Sequence, residues 1–129
     1  MMTIDELLEK PYWIIDILPK QVPKDSPGQY FAIDDYFRKT QHAKIRQKHT
    51  NLVLKLNCYL DISVEDEINP DPERLAEAIQ SRYVCILIGD AMIQSDPEDT
   101  YVTLYHPDPE LLALVEKLAA AEGLFVWKG

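Results

Sequence analysis

Two periods of apolar residues run along this chain, and they meet in its middle. From Leu52 to Val64 every even position is apolar: Leu52, Leu54, Leu56, Cys58, Leu60, Ile62 and Val64. The odd positions there include Lys55, Asn57, Asp61 and Ser63. Alternation of period two marks a half-buried strand. A helical face overlaps it through Ile45, His49, Leu52, Leu56 and Tyr59. The reading adopted is helix through residues 30–50 and on to about Leu56, then strand from Asn57, with Thr40 able to cap a second helical segment.

Before that point, Thr3 and Glu6 have the spacing of a capping box, which predicts a short helix to about Lys10, stopped by Pro11. Tyr12 to Leu18 is rich in aromatic and β-branched residues and reads as a strand. Pro19, Pro23, Pro27 and Gly28 make 19–29 a loop. Further on, Pro70-Asp71-Pro72-Glu73 and Pro107-Asp108-Pro109-Glu110 are near-identical helix starts. In each, Asp is the N-cap, Pro fills the first helical position without losing a needed N–H, and Glu complements the dipole. The first helix turns Leu75, Ala78 and Ile79 inward. The second has the stripe Leu111, Leu114, Val115, Leu118 and stops at Gly123.

Tyr83 to Ile93 holds the run Val84-Cys85-Ile86-Leu87-Ile88 and reads as one central strand with a bulge at Gly89. Thr100 to Tyr105 and Leu124 to Trp127 complete the set. From residue 57 the order is strand, helix, strand, strand, helix, strand. The expected fold class is therefore α+β: a mostly antiparallel sheet with helices on one face and a ferredoxin-like βαββαβ core, preceded by an N-terminal helix-strand-helix extension, all in a single domain of residues 1–129.

Composition adds less than charge. The 129 residues carry a formal charge of −9. Residues 1–37 are net −4, residues 38–55 carry six bases and no acid, and residues 56–129 are net −11. Such a chain is repelled by nucleic acid at long range. No apolar run approaches the roughly 20 residues that span a bilayer, and the acidic start Met1-Met2-Thr3-Ile4-Asp5-Glu6 is unlike a signal peptide. The expectation is a cytoplasmic protein, with no nucleic-acid or membrane partner. Cys58 and Cys85 sit in apolar runs and read as buried thiols.

Four glycines cannot make a glycine-rich phosphate loop, and C-x-x-C, H-E-x-x-H and G-x-S-x-G are all missing. No metal site and no cofactor are expected. His106, before Pro107 at a strand end, and Asp16, a carboxylate inside an apolar strand, are the catalytic candidates. Asp16, Asp61 and Asp90 would hold a hard cation only if they converged. Arg38, His42, Lys44 and Arg46 are the candidates for an anionic ligand. Trp13, Tyr30 and Phe31, beside the proline-rich loop, are the candidates for partner binding.

The leading expectation is a non-enzymatic protein-interaction module, for instance an inhibitor or immunity-like binder of a basic partner. The alternative is a small enzyme or binding domain for an anionic small molecule, with a pocket near residues 16–46. A homodimer formed through an exposed sheet edge is a third reading.

Overall fold

The computed structural model describes residues 2–129. Among them are α1 (Ile4–Leu7), β1 (Tyr12–Asp16), α2 (Tyr30–Thr40), α3 (His42–Tyr59), β2 (Ser63–Val64), β3 (Glu67–Ile68), α4 (Pro72–Ser81), β4 (Val84–Ile88), β5 (Ala91–Ser95), β6 (Tyr101–Tyr105), α5 (Pro109–Ala121) and β7 (Phe125–Lys128). The strands form one sheet in the order β3-β2-β4-β5-β6-β1-β7. Every pairing among the described residues is antiparallel.

Local chemistry sets the helix starts as the sequence suggests. Thr3 accepts from the Glu6 amide at 3.1 Å. Asp71 accepts from the Glu73 amide and Asp108 from the Leu111 amide, with Pro72 and Pro109 in the first turns. Gly123, at φ +78°, takes the left-handed position after α5. The inward faces also agree, with Leu75, Ala78 and Ile79 buried on α4, and Leu111 and Val115 on α5.

Three expectations change. First, α3 continues to Tyr59, and only Ser63–Val64 is strand. Val53, an odd position, is fully buried beside Leu52 and Leu56, so the helical face governs and the alternation through 52–60 is incidental. The break before α3 falls at Gln41. Thr40 does not cap; its hydroxyl donates back to the Tyr36 carbonyl at 2.7 Å.

Second, the predicted strand 83–93 folds on itself. Ile88 pairs with Ala91, so Gly89-Asp90 is a two-residue hairpin turn and not a bulge. Gly89 stands at φ +57°, which a tight hairpin demands at its first central position. One long strand becomes two, and the directions of later strands reverse. The result is a meander β4-β5-β6 flanked by β2 in place of the ferredoxin-like order, with β1 inserted between β6 and β7. Third, Cys58 is exposed and Cys85 half-buried, both free.

Cross-strand register divides the side chains between two faces, because directly paired residues point the same way. One face carries Ile15, Val102, Leu104, Ile93, Ile86 and Val84, which form the core with Leu52 and Leu56 of α3, Ile79 of α4 and Val115 of α5. The other face carries Tyr12, Ile14 and Asp16 from β1, Tyr101 and Tyr105 from β6, and Phe125 and Trp127 from β7. Helices therefore lie on both sides, not on one face as expected: α3, α4 and α5 cover the core face and α2 stands over the second. Leu7 of α1 and Met92 of β5 are buried outside the main core, and α1 touches β5. Much of the second face stays open, with Tyr12, Tyr101 and Phe125 exposed.

The two tight hairpins differ in chemistry, which generates a prediction. Glu65 and Asp66, between paired Val64 and Glu67, both hold positive φ, 51° and 68°, without a glycine. Asp66→Gly is expected to stabilise the fold by up to about 1 kcal/mol by removing the left-handed penalty. Gly89→Ala should destabilise it by about 1–2 kcal/mol, since nothing lies within 4 Å of an added β-carbon and the cost is conformational alone. Urea midpoints at unchanged slope read both; a reversed sign at either site would contradict the turn geometry.

Candidate functional site

The basic segment engages the protein's own backbone. On α3, His42, Arg46 and His49 recur at helical spacing and face the connection between β5 and β6. His42 Nε2 lies 2.7 Å from the Pro97 carbonyl. Arg46 donates to the Ser95 hydroxyl at 2.5 Å, the Ile79 carbonyl at 3.2 Å and the Asp99 carbonyl at 3.3 Å. His49 Nε2 lies 2.8 Å from the Thr100 carbonyl. A carbonyl only accepts, so both histidines must carry the proton on Nε2.

The rest of the segment is similarly occupied. Lys48 donates to the Glu122 carbonyl at 2.9 Å, and Lys55 pairs with the Glu122 carboxylate. Arg38 and Lys39 pair within α2 with Asp34 and Asp35. Of the four anion-site candidates, Arg46 is buried and clamps the 95–100 connection, His42 holds the same connection, Arg38 is ion-paired, and Lys44 is exposed. They do not assemble into one anion pocket.

His106 lies in an open cleft of about 620 Å³ that Asp61, Asp90 and Asp108 also line. Its backbone is strained, at φ +56° ahead of a proline. Its amide donates to the Pro11 carbonyl and its Nδ1 to the Asp90 carbonyl, both at 3.0 Å. The neighbouring acids have local duties: Asp61 accepts from Asn69 at 2.9 Å, and Asp108 caps α5. Among the described residues no three His, Cys, Asp or Glu side chains come close enough to hold a metal ion. Asp61 and Asp90 share this cleft, but Asp16 does not join them.

Asp16 lies in a second cleft, of about 550 Å³, between the open sheet face and α2. Only 8% of it is exposed. Its Oδ1 accepts from the adjacent Ile17 amide at 2.7 Å, and none of the ion pairs among the described residues includes it. Burial pushes its pKa up to about 6, with Asp34 adding to the rise and the Ile17 amide opposing it. A carboxylate raised in the folded state costs stability above pH 6 and costs nothing below the ordinary value near 4. Asp16 thus weakens the fold at neutral pH.

Tyr30, Phe31, Tyr101 and Trp127 wall this cleft. Tyr30 donates to the Pro19 carbonyl at 3.1 Å, which ties the proline-rich loop to α2. Of the three partner-binding candidates, Tyr30 and Phe31 reach the cleft. Trp13 instead packs on the core side, with Lys128 5.8 Å over its ring. Sequence reasoning missed Asp34, Tyr101 and Trp127, because only the pairing of Asp16 with Tyr101 and of Ile14 with Trp127 gathers them.

α2 itself is unusual. None of its residues is buried, and Phe31, Ile33 and Tyr36 are exposed, Tyr36 by 60%. No protein-family model, curated protein or solved structure matches the chain. No helix among the described residues is long and apolar enough to cross a membrane.

The clamp predicts a pH dependence. His49 is 1% exposed, and its Nδ1 has no partner. Burial lowers its pKa to about 4, with Arg46 adding to the fall and the Thr100 hydrogen bond opposing it. Since the folded value lies below the unfolded value near 6.5, its contribution is full above pH 6.5 and is lost as pH falls through 4. The advantage of wild type over His49→Gln should therefore shrink by about 1–3 kcal/mol between pH 7 and pH 4. Urea unfolding at the two pH values checks this; an equal difference at both would contradict a buried neutral His49.

Proposed function

We propose that this protein is a non-enzymatic interaction module that docks a basic protein partner through α2 and the aromatic half of the open sheet face. The observation that carries the reading is α2: eleven residues, none buried, with Phe31, Ile33 and Tyr36 exposed. A helix that short is marginal without an apolar face to bury. Its two i,i+4 ion pairs contribute only about 0.3–0.5 kcal/mol each. Covering Ile33 and Tyr36 would supply the missing burial, and large aromatics are the side chains that dominate interface energy. The formal charge of −9 favours a basic partner. An inhibitor or immunity-like binder is one form of such a module, and the cytoplasm is the proposed compartment.

A second reading, a binding domain for a small molecule, is supported by the cleft at Asp16. It lies in the region proposed for an anionic ligand, but its buried charge is negative.

The test is capture from native lysate by tagged wild type, Ile33→Asp and Tyr36→Ala, each checked for fold by circular dichroism. The expected result is a stoichiometric protein held by wild type, weakened at high salt, and held at least tenfold less well by both variants. Recovery of the bait alone, or capture unaffected by either substitution, would overturn docking through α2.

A further inference from the structure

A strand that buries a carboxylate without a counter-ion has left one bonding capacity open. Asp16 points to the second face of the sheet, paired across to Tyr101 on β6 and Phe125 on β7. Its hydrogen bonds come from backbone amides alone, that of Ile17 to Oδ1 at 2.7 Å and that of Leu18. Two of the cations in its neighbourhood are otherwise placed. Arg38 is bonded to Asp34 at 3.0 Å. Lys128 lines the cleft rim, but its ammonium lies over Trp13, on the core side of the sheet. Lys20, in the loop, is exposed at the rim.

What surrounds Asp16 narrows what could complete it. Asp34 supplies a second carboxylate, and Tyr30, Phe31, Tyr101 and Trp127 supply ring surface. The field there is negative: burial and then the carboxylates Asp16 and Asp34 raise the Tyr30 phenol, and burial followed by Asp99 and Asp16 raises that of Tyr101. An anion would be repelled. A neutral apolar group would leave the carboxylate buried and unpaired. A cation on an apolar stem satisfies both features, donating N–H to the carboxylate while ring faces attract its charge.

We infer that the Asp16 cleft is a binding site for an organic cation, a primary ammonium or guanidinium on a short aliphatic stem. The group could come from a free amine or from a lysine or arginine side chain of a protein. The inference builds on the cleft reading above; the cleft shares α2 with the proposed docking surface but is not lined by Ile33 or Tyr36.

Isothermal titration with n-butylammonium, n-butylguanidinium, n-butyrate, and capped Gly-Lys-Gly and Gly-norleucine-Gly peptides tests it. The expected result at pH 7.5 is saturable binding of the cations, none of butyrate or the norleucine peptide, and at least tenfold weaker binding to Asp16→Asn. That variant removes a destabilising charge and is expected to fold.

Wild type gives a second readout. Between pH 7.5 and pH 5 affinity should fall about tenfold, as Asp16 protonates around pH 6. The other charged groups facing it are Asp34 and Arg38 of α2 and Lys20 of the loop, and the Tyr30 and Tyr101 phenols stay protonated throughout. A lysine peptide that binds more tightly than butylammonium assigns the site to a protein side chain; the reverse order assigns it to a free amine. Butyrate binding as well as butylammonium, no saturable cation binding, or equal affinity in Asp16→Asn would overturn the inference. Tyr36→Ala, outside the cleft lining and neutral in charge, should leave cation binding unchanged, so this site and the α2 surface can fail separately.

Discussion

The rest of the structure hangs on the grip of α3 on the connection between β5 and β6. Arg46 and His49, both buried, reach the Ser95 hydroxyl and the carbonyls of Ile79, Asp99 and Thr100. A buried carbonyl without a donor is costly, so a loop that would otherwise need water is fixed against the core helix. That contact sets where β6 begins. Tyr101, its first residue, pairs with Asp16, so the grip of α3 on one side of the sheet positions the cleft on the other. The link from helix to cleft runs through backbone register, which side-chain mobility cannot blur.

The same contact explains an asymmetry of charge. Residues 38–55 carry six bases and no acid, yet most of them are engaged within the chain, Arg38 and Lys39 by exposed pairs with Asp34 and Asp35, Lys55 by Glu122, and Arg46 and Lys48 by backbone carbonyls. Arg46 is buried and forms no anion-binding surface. Asp16, the one buried carboxylate among the described residues, has no ion-pair partner and lies in the aromatic-walled cleft. A buried group that costs stability rather than adding it is the kind of feature function retains, and here it sits beside a helix with nothing buried. The two observations share one side of the sheet.

How much was legible in the sequence follows from which interactions were local. Capping by Thr3, Asp71 and Asp108 and the stop at Gly123 act within a few residues, and each was readable. A strand starting at Tyr12 was also readable from composition, although it ends at Asp16 and not at Leu18. The turn at Gly89-Asp90 was not separated from a bulge, because both want glycine with positive φ and only cross-strand pairing decides. That one misreading carried the ferredoxin-like order with it. In the site, Asp16 was visible as a charge in an apolar strand and Tyr30 and Phe31 as aromatics beside a loop. Their meeting with Tyr101 and Trp127 depends on β1 inserting between β6 and β7, which no local pattern encodes. Arg46 and His42 meet backbone carbonyls, contacts that a sequence does not show.

Asp16 is a buried carboxylate without an ion-pair partner. Carbon-detected NMR titration of its side-chain carboxyl measures this directly in the intact protein. The expected midpoint is at about pH 6, raised by burial. A midpoint at or below the ordinary value near 4 would mean that water or a cation already satisfies Asp16, and would overturn the picture of an unsatisfied buried charge.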